Sequence, residues 1–179
     1  MTAPVRLIPL VCQRCAQPLP AGLDEVAWCC AHCQQGQMLT QDGELTPVEI
    51  HFDASLRMGE RGRPFWVAEG QVTNLVRTRF KGDQSQEMLR FWAAPRRFYV
   101  PAYETTLDEG VAVGLEWIEA QPPLTPGAQA DFQPVTVLPD DVQALAEFIV
   151  LAVEANRKDK LSRLDFDLQL GAAELWIIP

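Results

Sequence analysis

Histidine is almost absent from this chain: His32 and His51 are the two in 179 residues. The G-x-S-x-G elbow of hydrolases and the Gly-rich P-loop are also missing, so neither a triad-type nucleophile nor a phosphate cradle is encoded locally. His51, in Glu49-Ile50-His51-Phe52, reads as a strand residue rather than a base. The pair Asp165 and Asp167 reads as the solvated face of a strand, because acid–base chemistry would need further partners beside it. The catalytic inventory therefore points away from an enzyme. No window holds the roughly eighteen consecutive apolar residues that a membrane-spanning helix needs. Met1–Leu10 lacks the apolar centre of a signal peptide, which leaves the cytoplasm as the expected address. Positive charge is also scarce overall: 15 basic residues face 24 acidic ones, a net charge of −9. That balance repels phosphate backbones and disfavours nucleic acid as the partner of the whole chain.

The charge is unevenly spread. Residues 1–50 carry net −3, residues 51–100 net +4 and residues 101–179 net −10. Cysteine is more uneven still, since all five lie within the first 33 residues. Cys12-Gln13-Arg14-Cys15 and Cys30-Ala31-His32-Cys33 form two C-x₂-C pairs separated by fourteen residues. Such pairs bend the chain so that two thiolates from each meet at one tetrahedral ion, and four thiolates leave no open position. The expected cofactor is one structural Zn²⁺ held by Cys12, Cys15, Cys30 and Cys33. Cys29 is the odd cysteine, since Cys30 alone completes the two-residue spacing to Cys33, and it reads as a small half-buried hydrophobe. His32 falls in the second turn and is expected to face solvent.

This arrangement resembles a zinc ribbon of the rubredoxin-like kind over about residues 10–50. Gln37–Thr40 and Glu44–Thr46 flank Asp42-Gly43, the hairpin turn that a ribbon places after its second knuckle. The family carries a glycine directly after each C-x₂-C pair, whereas Ala16 and Gln34 follow here. The resemblance implies a fold and a metal, and because ribbons serve as nucleic-acid binders, docking modules and structural inserts it implies no single activity. Cys30-Ala31-His32-Cys33 also resembles the C-x-H-C motif of disulfide isomerases, but that site follows a strand and opens a helix, and here a second C-x₂-C pair precedes it. Pro64-Phe65-Trp66 and Tyr99-Val100-Pro101-Ala102 resemble segments of uncharacterised bacterial zinc-ribbon proteins, and no function comes with them.

Beyond residue 50 the pattern turns to strands. Pro64–Glu69, Val72–Lys81, Met88–Ala93 and Arg97–Val100 read as about four antiparallel strands, with Val72, Val76 and Phe80 on the apolar face of the second and Arg77, Arg79 and Lys81 on its basic face. Arginines beside Phe91, Trp92, Phe98 and Tyr99 raise a single-strand-binding reading, with Arg77, Arg79, Arg90, Arg96 and Arg97 as first contacts. The stronger expectation is that the rings form the core. Thr106-Leu107-Asp108-Glu109 is a capping box opening a helix that stops by Gln121, within which Gly110 and Gly114 allow a close approach to a neighbour. Residues 122–130 form a Pro-rich loop, and Phe132–Leu138 reads as a short strand. A long helix follows Pro139-Asp140-Asp141 and runs to about Asn156. It is apolar nearly all round, Val150 and Leu151 lying farthest from its main stripe, so a core role and a partner-facing role both stand. Leu164, Phe166, Leu168 and Leu170 alternate with polar residues in a strand, and Gly171 leads to a closing hairpin with Glu174–Ile178.

The architecture expected is α+β: a zinc ribbon over 1–50 and an α+β domain over 51–179, with an antiparallel sheet, one short helix, one long helix and a C-terminal hairpin. The function expected is a non-enzymatic adaptor or assembly subunit with a protein partner or a second copy of the chain. The alternatives are a nucleic-acid binder using the basic aromatic sheet at 65–100, and a thiol redox protein.

Overall fold

The computed structural model describes residues 7–179, with backbone alone at Arg79 and Phe80. The leader reading therefore falls largely, and the side-chain readings at Arg79 and Phe80 wholly, outside the described residues.

The N-terminal module is an antiparallel sheet of β1 (Ala27–Cys29), β2 (Gly36–Leu39) and β3 (Leu45–Pro47) in that order. Its hairpin turns at Gly43, whose φ of 77° is strained for any residue with a Cβ. Leu39 pairs with Leu45 across the turn.

The remainder is organised by β5 (Arg63–Lys81), a single strand of 19 residues where two were expected. It carries β6 (Arg96–Pro101) on one side and β8 (Glu174–Ile178) on the other, and β8 pairs in parallel with β4 (Ile50–Phe52). β7 (Lys160–Leu170) pairs with the far half of β5. The two C-terminal strands are thus both present, and both take β5 as partner in tandem. Leu170 lies opposite Gly70, Glu174 lies opposite Val67, and the Gly171 N–H reaches the Glu69 carbonyl at 2.8 Å between them.

Three segments depart from the pattern read in the sequence. Met88–Ala93 is not a strand: α1 spans Ser85–Phe91, and burial of Met88 and Trp92 follows the four-residue spacing of a helix rather than alternation. Phe132–Leu138 is extended without becoming a strand. Its groups bond in turn to Gly62, Val26, Ala102 and the Trp66 indole, and Pro134 withholds a donor, so no ladder forms. Within β5 the register slips between Thr73 and Val76, where Asn74 sits at a φ of 53°. A bulge of this kind moves the side chains that follow it, up to the next irregularity at Thr78, to the opposite face. Val76 is consequently 58% exposed and Arg77 points inward, the reverse of the faces expected for them.

Both faces of the body sheet are covered. Trp66, Phe98, Val100 and Leu175 pack on one side with residues of α3 (Val142–Ala155), and Phe65, Val67, Tyr99 and Trp176 pack on the other. Each fully buried side chain of this size contributes roughly 1.5–3 kcal/mol. α2 (Leu107–Ala120) feeds both clusters, Ile118 entering the first and Trp117 the second. Its capping box is formed as read, with Thr106 and Glu109 satisfying each other's backbone N–H groups. At Gly114 an added Cβ would come within 2.3 Å of Ile149 Cδ1, so glycine sets how closely α2 and α3 approach. In α3, Val150 is core at 0% exposure, whereas Leu151 is 40% exposed and Phe148 44%. Among the described residues no helix is long and apolar enough to cross a membrane.

Candidate metal centre

The two C-x₂-C pairs form two turns with the same hydrogen bonds. The Ala16 N–H reaches the Cys12 carbonyl at 2.8 Å and the Gln34 N–H the Cys30 carbonyl at 2.8 Å. The Cys12 and Cys30 N–H groups reach the carbonyls of Gln17 and Gln35 at 2.8 and 3.0 Å. Closing each turn requires the residue after the second cysteine to enter the left-handed region, and Ala16 (φ 57°) and Gln34 (φ 61°) do so without being glycine. The turn geometry therefore survives the missing glycines, with the strain carried by an alanine and a glutamine.

These turns bring all four sulfurs together. Cys12 Sγ lies 3.5 Å from Cys33 Sγ and Cys15 Sγ lies 3.6 Å from Cys30 Sγ, and the four atoms are within 4.8 Å of one another. Cys12 and Cys30 are buried and Cys15 and Cys33 half-buried, packed with Leu19 and Trp28 beneath them. The Trp28 indole N–H is held by Glu25 at 2.8 Å, which fixes the floor of the site.

Backbone amides aim at the sulfurs. At Cys12 burial raises the pKa, but the N–H groups of Cys15 and Arg14 outweigh it and pull the thiol below its ordinary value. At Cys30 the Cys33 N–H acts first, against burial and with help from the His32 N–H, and takes the thiol down to about 6. At Cys15 the Gln17 N–H pulls down, while burial and the sulfurs of Cys30, Cys33 and Cys12 push the thiol up to about 12. Four sulfurs this close cannot all be anionic without a cation among them. The donor set fits that need: four thiolates within 4.8 Å of one another could hold one metal ion with no position open to substrate.

Cys29 stays outside the cluster. Its thiol donates to the Gln34 carbonyl at 3.4 Å and accepts from Gln129 Nε2 at 3.1 Å, and burial pushes its pKa up. His32 is exposed. His51 stacks on Trp176 at 4.8 Å in β4. Asp165 and Asp167 are exposed and paired with Arg163 and Asn74.

Of the arginines singled out in the sequence, the four whose side chains are described have different surroundings. Arg77 is buried against Glu154 and Asp159, Arg96 lies 3.6 Å over the Phe91 ring, and Arg97 bonds to the Tyr99 hydroxyl. Arg90 is exposed. Of the four aromatic residues beside them Trp92, Phe98 and Tyr99 are buried, as the core expectation had it.

The sequence reading missed the partners of Arg77. Its guanidinium grips Asp159 with two bonds, at 2.7 and 2.9 Å, and lies 3.0 Å from Glu154, which also accepts from the Trp92 indole and from Arg157. Only the Asn74 bulge signals this arrangement, since asparagine tolerates the left-handed conformation better than most residues. Comparison with known protein families, with curated proteins and with solved structures found no match to this chain.

Proposed function

We propose that the chain is a non-enzymatic zinc-ribbon adaptor or assembly subunit, acting through protein–protein contacts in the cytoplasm, with one structural Zn²⁺ on Cys12, Cys15, Cys30 and Cys33. Zinc is favoured by the donor set. Zn–S bonds of about 2.3 Å give a tetrahedron with edges of roughly 3.8 Å, close to the sulfur separations seen. A closed site of this kind stabilises a fold rather than activating water.

The observation that carries the adaptor reading is a set of large apolar side chains left open on α2 and α3: Leu107 at 47% exposure, Phe148 at 44% and Leu151 at 40%. Of the nine large apolar side chains exposed among the described residues, these three lie on two helices that touch each other, and adjoining apolar surface is a mark of interaction surfaces. Burial of Trp92, Phe98 and Tyr99 weighs against the nucleic-acid alternative, because base stacking needs an open ring face. The thiol redox alternative would draw on cysteines that this reading assigns to the ion.

The test is purification of the tagged chain from its native cell, with and without nuclease, followed by size-exclusion chromatography. The adaptor reading expects a discrete complex with a protein partner that survives nuclease. A complex that collapses on nuclease treatment, or an isolated chain at every expression level, contradicts it.

A further inference from the structure

Pro101–Asn156 contains ten carboxylate residues and neither lysine nor arginine. This stretch builds α2, the Pro-rich loop and α3. Between the end of β6, the first turns of α2 and the flank of α3 lies a cavity of about 260 Å³ walled by Tyr103, Leu107, Val111, Val137, Leu145 and Ile149. Small-molecule sites occupy about 300–1,000 Å³. This one is sized for one or two apolar side chains. Leu107 stands at its mouth, and Phe148 lies three residues beyond the lining residue Leu145 on α3, so the apolar surface continues out of the cavity.

The charged residues of Pro101–Asn156, the stretch that lines most of the cavity, have one sign. Glu104, Asp108, Asp140 and Asp141 adjoin the lining segments and are exposed. At the N-terminus of α2 the Thr106 N–H is taken by the Glu109 carboxylate and the Glu109 N–H by the Thr106 hydroxyl, so a carboxylate already sits at that end of the helix. An anionic ligand is therefore repelled, and a cationic one is drawn in.

We propose that this groove docks a cationic amphipathic helix of a partner protein. One or two apolar residues of that helix fill the cavity, and flanking lysines and arginines meet the carboxylates. A helix satisfies its own backbone groups, and a groove between two helices offers it an apolar seat without an exposed sheet edge. The charge supplies steering and partner choice, and the buried apolar anchor supplies most of the affinity. The inference rests on the adaptor reading and names the chemistry of its partner.

The test uses the full chain and a fluorescent 18-residue Leu/Lys peptide patterned as an amphipathic helix. Two controls are a scrambled peptide of equal composition and a Leu/Glu peptide of equal pattern. Saturable binding is expected for the amphipathic Leu/Lys peptide alone, weakening about tenfold or more as salt rises. The variant L107S/F148S, which keeps the charge, should weaken binding about tenfold by removing the anchor contacts. The variant Glu104→Gln/Asp108→Asn/Asp140→Asn, which changes exposed groups alone, should weaken it similarly and lose the salt dependence.

Equal binding of the scrambled peptide, or undiminished binding to L107S/F148S, overturns the proposal. Concentration-dependent dimers that L107S/F148S dissolves and the peptide does not also overturn it, since the occupant is then a second copy. Retention of the native protein partner by L107S/F148S overturns this inference while leaving the adaptor reading in place. The adaptor reading itself falls with the nuclease experiment.

Discussion

Ala16 and Gln34 hold left-handed backbone at φ 57° and 61° in the turns that aim the cysteines. A side chain in that conformation costs about 1–2 kcal/mol, because its Cβ crowds the following carbonyl. Ala16→Gly and Gln34→Gly should each raise the stability of the metal-loaded protein by about 1 kcal/mol, after allowing for the greater freedom of glycine in the unfolded chain. Urea denaturation of the two variants checks this, and a fall in midpoint in both would show that the turns carry no strain. At this scale the cysteine cluster was open to reading, since a C-x₂-C pair is local and its spacing alone selects Cys30 over Cys29. Arg77 was not. Its inward direction depends on the extra residue at Asn74, and strict alternation placed it and Val76 on exchanged faces.

Among the elements, the ion pairs around Arg77 join β5, the start of β7 and the end of α3, and Trp92 just beyond α1 bonds to the same Glu154. The side chains of Arg77, Glu154 and Asp159 are 2%, 0% and 0% exposed. Removing one member of such a group strands a buried charge, and Arg77→Met should cost about 3–5 kcal/mol. The two bonds from Arg77 hold the Asp159 carboxyl below its ordinary 3.8, against burial. A depressed carboxylate stabilises the fold above its unfolded-state pKa, and that contribution is lost as pH falls through the folded value. The wild type should therefore lose stability on acidification below about pH 4 more steeply than Asp159→Asn, which starts lower. Denaturation midpoints across pH 2–7 decide it, and parallel curves would contradict the assignment. Element type was legible where periodicity was long, as in α3 and β7, and where a capping box marked the start, as in α2. It failed at Met88–Ala93, where aromatic content suggested a strand and the four-residue spacing of Met88 and Trp92 is helical.

Across the whole molecule the N-terminal module and the body meet through apolar contact. Ala27 of β1 lies in the body's main cluster, joined by Val26 and Met38, and the Val26 N–H reaches the Val135 carbonyl at 2.7 Å. β4, starting at Ile50, straddles the division expected at residue 50 and enters the body sheet. No local pattern announces such a contact, because Phe132–Leu138 makes it through single bonds to distant partners. The second cysteine turn follows β1 directly and Cys29 accepts from Gln129 of the body at 3.1 Å, so an ion held by the four cysteines would order a sheet that is itself part of the body's packing. The account of the N-terminal module rests on the four cysteines holding a closed, structural zinc. The most direct measurement is elemental analysis of the purified protein beside Cys29→Ser and Cys12→Ser/Cys30→Ser. The account predicts about one zinc per chain in the wild type and in Cys29→Ser, and almost none in the double variant. Iron in place of zinc, loss of metal in Cys29→Ser alone, or full zinc in Cys12→Ser/Cys30→Ser would contradict it.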